Sequence, residues 1–258
     1  MTKLGRRLVC WLIAALATSS AFAADASNPF VDDAVQPAGF SAATPPTPRQ
    51  VRAAFAASFD ELRKSGILDR ALGVGDRAPD FELPSANGLN IRLSELRAVA
   101  PVVLIYYRGN WCPFCTRQLQ GLQQALTDIH SQDAQLVAIS PETAANGLDT
   151  QRRNQLAYPT LTDQGNAVAR EFGLAYRVSA DAAEQYAPFV NLAEHNGDSS
   201  PELPLSATYV IDSAGVIRYA FVSVDFTERA NPAEILQVLR RLKQSTPAGP
   251  LTQPLARR

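Results

Sequence analysis

Two cysteines separated by two residues, Cys112 and Cys115, are the side chains of this chain best suited to chemistry. They lie in the stretch Arg108-Gly109-Asn110-Trp111-Cys112-Pro113-Phe114-Cys115. The thiolate is the reactive form of cysteine toward a disulfide, a peroxide or a metal. The spacing lets the two sulfurs close a small disulfide, so the pair can cycle between dithiol and disulfide. Half of a zinc site and an inert bridge are the competing readings. A zinc site needs four ligands, and past the first 23 residues the chain holds no third cysteine and only His130 and His195 as histidines. Redox work is therefore the expected role, with no metal and no cofactor.

The elements around the pair follow from the pattern. Val102-Val103-Leu104-Ile105-Tyr106-Tyr107 is apolar and rich in β-branched and aromatic side chains, as a buried strand is. Leu119, Leu122, Leu126 and Ile129 recur on one face of a helix. Pro113 suits the first helical position, which makes Cys112 the N-cap and puts Cys115 in the first turn. The free N–H groups and positive end of that helix are expected to face both sulfurs and favour thiolate. Arg108, four residues before Cys112, is the candidate for stabilising thiolate and peroxide, against an ordinary role as a solvated turn residue. Trp111 lies in the loop rather than the strand, which favours a shield over the sulfurs and part of a docking surface over a core aromatic.

The rest of the chain reads as support. Residues 1–23 carry a basic start, a short apolar run and Ala21-Phe22-Ala23, the pattern of a cleaved export signal. The apolar run is too short to span a bilayer, so the mature form is expected in the periplasm or secreted, with no membrane anchor. The chain has 24 basic and 25 acidic residues; losing Lys3, Arg6 and Arg7 leaves 21 against 25, a net charge of −4 that argues against nucleic acid. Residues 24–48 read as a Pro-bearing flexible leader. Arg49 to Leu72 has Val51, Phe55, Phe59, Leu62 and Ile67 at helical spacing, a helix ended by Gly73 and Gly75 within an N-terminal segment 49–74. One domain is expected over 75–244, with a disordered tail over 245–258.

Within that domain Asp80–Leu83 and Leu89–Leu93 alternate around a turn, as an N-terminal hairpin does. Gln135–Ser140 is a second buried strand, and strand, helix, strand in that order implies a right-handed crossover and a parallel pair. Residues 141–157 and 166–172 read as helical, with Tyr158–Thr162 extended between them. Ala207–Ile211 and Val216–Val222 form a second hairpin, and Asn231-Pro232-Ala233-Glu234 caps a last helix buried through Ile235, Val238, Leu239 and Leu242. In 174–203, Asp181 to Glu194 reads as a helix. Its acids and aromatics, Tyr176, Tyr186 and Phe189, suit a lid or a homodimer surface, with a solvated insertion as the more ordinary reading.

Four motifs carry a resemblance to a known family: Gly75-Asp76-Arg77-Ala78-Pro79-Asp80-Phe81, Tyr106 to Cys115, Tyr158-Pro159-Thr160-Leu161-Thr162-Asp163 and Ala207 to Asp212. From about Gly75 to Leu242 the chain resembles the peroxiredoxin-like group, the alkyl hydroperoxide reductase and thiol-specific antioxidant family of the thioredoxin superfamily. The resemblance implies an α/β thioredoxin-like fold, a central mixed β-sheet flanked by helices with an N-terminal β-hairpin extension. On the family's Pro-x-x-x-Thr/Ser-x-x-Cys motif, Cys115 takes the peroxidatic place, Cys112 that of the hydroxyl residue and Arg108 that of the proline. Ser206 stands where the family carries an arginine before the late strand. Thioredoxin-type reductases use Trp-Cys-x-x-Cys, which Trp111 to Cys115 satisfies, with Cys112 as the exposed attacking sulfur.

Three functions follow from the resemblance. The first is a thiol peroxidase in which Cys115 attacks hydrogen peroxide or an organic hydroperoxide, Cys112 resolves, and a thioredoxin-like protein reduces the Cys112–Cys115 disulfide; exposure at the N-cap argues for the reverse order. The second is an exported thiol–disulfide oxidoreductase with Cys112 attacking. The third is a copper carrier, although such carriers of the superfamily use a three-residue spacing and a well-placed histidine.

Overall fold

The computed structural model describes residues 47–245, so the expected export signal, all but the end of the expected leader, and the expected tail past Ser245 lie outside the described residues. The described residues open with α1 (Pro48–Ala54), α2 (Ala56–Lys64) and α3 (Ile67–Arg70). Thr47 and Gln50 form a reciprocal capping box at the start of α1. One helix was expected here, but the chain turns at Phe55 and again at Ser65–Gly66, where Gly66 has φ +68°. The turns serve burial: Phe55, Phe59 and Ile67 all reach the core. Leu72 N–H donates to the Phe172 carbonyl, and a side chain at Gly173 would collide with Arg70, so these helices sit tightly on the domain.

The hairpin β1 (Glu82–Pro84) and β2 (Asn90–Arg92) pairs antiparallel and leads into α4 (Leu93–Val99). Next comes β3 (Val102–Tyr106), whose five side chains are all buried, its four aliphatic ones each contributing roughly 1.5–3 kcal/mol by leaving water. It runs into α5 (Pro113–Gln124), α6 (Leu126–Ser131), β4 (Gln135–Ser140), α7 (Ala144–Arg153), β5 (Thr160–Thr162) and α8 (Ala167–Glu171). The expected apolar face of Leu119, Leu122, Leu126 and Ile129 is buried, although the helix breaks at Ala125.

The segment expected to be least regular is built as an insertion. It comprises β6 (Ala175–Arg177), α9 (Ala180–Tyr186), α10 (Leu192–Asn196) and β7 (Glu202–Pro204), and its base is closed by antiparallel pairing of β6 with β7. Two short helices thus replace the single one read over 181–194, separated at Ala187–Asn191. The chain ends with β8 (Ser206–Ile211), β9 (Ile217–Ser223) and α11 (Pro232–Ser245), where the Asn231 side chain accepts from Ala233 N–H.

The central sheet has strand order β5-β4-β3-β8-β9; β3, β4 and β5 are parallel, and β8 and β9 are antiparallel to their neighbours. This is a mixed sheet flanked by helices, a thioredoxin-like α/β fold, with β3 at its centre. The segment before the hairpin also meets the sheet. Residues 75–78 bond to the start of β9, with Arg77 paired to Val216, and Ser85 and Ala86 bond to β5 on the opposite edge. Among the described residues no helix is long and apolar enough to cross a membrane.

Candidate active site

The site forms where β3 ends and α5 begins. Tyr107 N–H still bonds Ile139 of β4, and Cys112 N–H then donates back to the Gly109 carbonyl, closing a tight turn. Gly109 has φ +148°, and a side chain there would collide with the Trp111 ring, so only glycine serves. Asn110 is held from two sides: its N–H donates to Glu142 Oε1 at 2.8 Å and its amide to Asp149 at 3.2 Å. Pro113 stands at the first position of α5 and Cys112 is its N-cap, as the pattern predicts.

Of the two expected stabilisers, the helix N-terminus and Arg108, it is Arg108 that bonds a sulfur. The Cys112 side chain makes no capping hydrogen bond, and the Cys115 N–H goes to the Cys112 carbonyl. A second guanidinium, which the sequence did not suggest, stands at the other sulfur. Arg108 Nη2 donates to Cys112 Sγ at 3.0 Å, and Arg229 Nη2 donates to Cys115 Sγ at 3.3 Å. Both cysteines are free thiols with no accessible surface, which corrects the reading of Cys112 as an exposed sulfur. Both arginines are buried as well, so their charges act at low local dielectric.

Burial pushes the Cys112 thiol up, but the hydrogen bond from Cys115, the charges of Arg108 and Arg229 and the Arg108 hydrogen bond outweigh it and hold it well below the usual thiol range. Cys115 goes the other way: burial, the hydrogen bond it donates to Cys112 and the negative charge there all raise it. The two shifts run in opposite directions, so Cys112 is the sulfur that ionises more readily and Cys115 the one that holds its proton.

Aromatic side chains wall this charge in. The Arg108 guanidinium lies 3.7 Å from the Phe226 ring centroid, 4.8 Å from Trp111 and 5.4 Å from Tyr186, and its Nη1 donates to the Tyr186 hydroxyl at 2.8 Å. Phe55 stacks on Tyr186 at 5.0 Å and meets Phe226 edge-on at 4.9 Å. The structure therefore gathers Cys112, Cys115, Arg108 and Trp111, every candidate residue, into one cluster. Of the insertion's aromatics, Tyr186 faces this cluster, whereas Phe189 is exposed.

Several members of the site carried no signal of this role in the sequence. Ser206 occupies the place of the family's arginine at the start of β8, yet an arginine still reaches the cysteines, from the loop after β9. Arg229 donates to the Phe226 and Glu228 carbonyls, in a loop whose Asp225 accepts from Thr227 and from Arg52 of α1 at 2.8 Å. Lone loop residues make no periodic pattern. Glu142 likewise lies in a stretch that reads only as weakly helical. The copper-carrier reading needs a histidine at the sulfurs, but His195 Nε2 is 2.7 Å from Glu142 Oε1 instead. Among the described residues no three His, Cys, Asp or Glu side chains converge on a metal-sized site.

Residues 74–220, more than half of the chain, match the model of the AhpC/TSA family. The chain belongs to the AhpC/TSA family. This AhpC/TSA protein is 27% identical over 202 residues to the chloroplastic peroxiredoxin Q of Oryza sativa subsp. japonica, covering 78% of its own length and 80% of the relative's. It is 26% identical over 156 residues to that of Arabidopsis thaliana, covering 60% of its own chain and 62% of the other. Among solved structures it is similar to the peroxidoxin BcpB of Mycobacterium tuberculosis, with TM-score 0.54 and 25% identity over 66% of this chain and 98% of that one. Membership makes the protein a peroxiredoxin-type oxidoreductase, with thiol-based peroxidase chemistry at its cysteines. Arg52, Phe55, Phe226 and Arg229 all fall outside the matched span, so this AhpC/TSA member builds much of its site wall from segments flanking the family core.

Proposed function

We propose that the Cys112–Cys115 pair reduces hydrogen peroxide and organic hydroperoxides, with Cys112 as nucleophile. The observation that carries this order is the Arg108 guanidinium 3.0 Å from Cys112 Sγ, opposite a Cys115 that keeps its proton. The Cys112 thiolate attacks the distal peroxide oxygen: an S–O bond forms, the O–O bond breaks, and the departing oxygen takes the Cys115 proton to leave as water or an alcohol. Cys115, now a thiolate, attacks the Cys112 sulfenic sulfur. The S–S bond forms and hydroxide leaves, so two thiols and one hydroperoxide give one disulfide, water and the reduced oxygen product. A thioredoxin-like dithiol protein then restores the pair, with Trp111, the partly exposed face of the wall, as the side it meets.

Cys115 as attacker is the second reading, favoured by the motif alignment and by Arg229 at 3.3 Å. The export pattern of residues 1–23 supports action in the periplasm or outside the cell; mass spectrometry of the exported protein should find Ala24 as its first residue.

The test is stopped-flow oxidation of the reduced protein and its Cys112→Ser and Cys115→Ser variants with stoichiometric hydrogen peroxide, trapping sulfenic acid for mass spectrometry. Sulfenic acid that persists only in Cys115→Ser establishes Cys112 as attacker; persistence only in Cys112→Ser establishes the reverse order. Oxidation no faster than that of a free thiol in solution would defeat the peroxidase reading and favour disulfide exchange on exported proteins.

A further inference from the structure

The Arg108 guanidinium is pinned at both of its terminal nitrogens. Nη2 donates to Cys112 Sγ at 3.0 Å and Nη1 to the Tyr186 hydroxyl at 2.8 Å. Because the guanidinium is a rigid planar fork, fixing one terminal nitrogen sets where the other points. Tyr186 is itself immobilised. Its ring stacks on Phe55 at 27° between planes and meets Trp111 edge-on at 5.4 Å, and it is the last residue of α9, a helix started by the Ser179 side chain capping Ala182 N–H. Tyr176, on β6, lies against the same hydroxyl and guanidinium. Burial raises the Tyr186 phenol well above its ordinary range, so it meets Arg108 as a neutral acceptor and does not compete with Cys112 for the positive charge.

From these contacts we propose that Tyr186 is a positioning residue of the thiol site. The insertion between β6 and β7 supplies the hydroxyl that orients Arg108, and only through Arg108 does it act on Cys112. Without that acceptor the guanidinium keeps Phe226, Trp111 and the neighbouring Tyr176 but loses the 2.8 Å bond that holds Nη1, and Nη2 is held less firmly at the sulfur. This rests on the reading of Cys112 as the thiolate that Arg108 stabilises. It assigns the insertion a part in the chemistry that neither a solvated loop nor a dimer surface would have.

The test reads thiol ionisation rather than turnover. The whole reduced protein is alkylated with iodoacetamide across a pH series, and labelling of the Cys112 peptide is timed by mass spectrometry for the parent, Tyr186→Phe, Arg108→Met and the double variant. Tyr186→Phe keeps the ring and its packing, and thermal melting checks that it does. Losing one hydrogen bond to a charged group corresponds to about a tenfold change, so half-maximal reactivity should move up by roughly one pH unit. Arg108→Met should move it further, and the double variant should match Arg108→Met alone. A Tyr186→Phe profile superimposed on the parent, or a double variant in which the two shifts add, would overturn the proposal. An unchanged Arg108→Met profile would overturn both it and the Arg108 reading beneath it. A parent that does not consume peroxide, with a Tyr186→Phe profile still displaced, would remove the peroxidase reading and leave the positioning role standing.

Discussion

Replacing His195 by alanine tests how a buried carboxylate stays charged beside the cysteine loop. Glu142 has no accessible surface and accepts from His195 Nε2 at 2.7 Å, Asn110 N–H at 2.8 Å, Thr150 Oγ1 at 3.0 Å and Ser140 Oγ at 3.2 Å. The buried Tyr107 hydroxyl lies beside it. An ionised carboxylate only accepts, so His195 Nε2 carries the proton of that bond. Burial pushes the Glu142 carboxyl up, but the hydrogen bonds from His195 and Asn110 outweigh it and hold the group below its ordinary value. Losing one hydrogen bond to a charged group costs about 1.5–3 kcal/mol. Here the amide and hydroxyl donors remain, and the His195 side chain is 15% exposed, so water reaches the gap. The loss should therefore be roughly 2 kcal/mol at neutral pH, or about 4–8 °C in Tm for a domain of this size.

The pH dependence carries the sharper check. A carboxyl whose folded pKa is depressed contributes stability above its unfolded pKa and loses it as the pH falls through the folded value. In His195→Ala the folded pKa rises, so the deficit against the parent should be widest at neutral pH and close as the pH falls through the carboxylate range. Urea unfolding at several pH values measures it, with Glu142→Gln and the double variant completing the cycle. A deficit that does not change with pH, or that is undiminished in the Glu142→Gln background, would refute the reasoning.

Other expectations are simpler. Gly109→Ala forces a side chain into the Trp111 ring at φ +148° and should cost on the order of 2 kcal/mol, read as a lower thermal midpoint. Arg52→Met should lower stability by less than about 1 kcal/mol, because Arg52 is 37% exposed, yet amide exchange in residues 224–229 should quicken while the central sheet stays protected. Phe226→Leu removes the ring face 3.7 Å from Arg108, an interaction of about 1–2 kcal/mol when desolvated. The alkylation profile of Cys112 should then move toward higher pH, by less than in Arg108→Met.

The parts of the site that were legible in the sequence are those in which local pattern and tertiary need coincide. β3 is apolar because both its faces are covered, and Pro113 starts α5 because its missing N–H costs nothing there, so strand, turn and helix could be read directly. The N-terminal segment was only half legible. Its helical spacing was real, but Phe55 is needed against Tyr186 and Phe226, and meeting that need breaks the helix. Arg229 lies 114 positions from the cysteine it faces, in a loop whose only local rule is the Asp225 turn. The contacts that place it are long-range, and no window along the sequence contains them.

The run from Gly75 to Ala86 has a consequence for solubility. An open five-stranded sheet offers two rows of unpaired amides and carbonyls, each a template for another chain. Here one short segment occupies the start of β9 at one end and most of the three-residue β5 at the other. The segment is a strap buckled to both rims by backbone hydrogen bonds. Lengthening it would not simply add a loop. It would give the buckles slack, and the first sign would be self-association through the sheet rims while the cysteine site stayed intact.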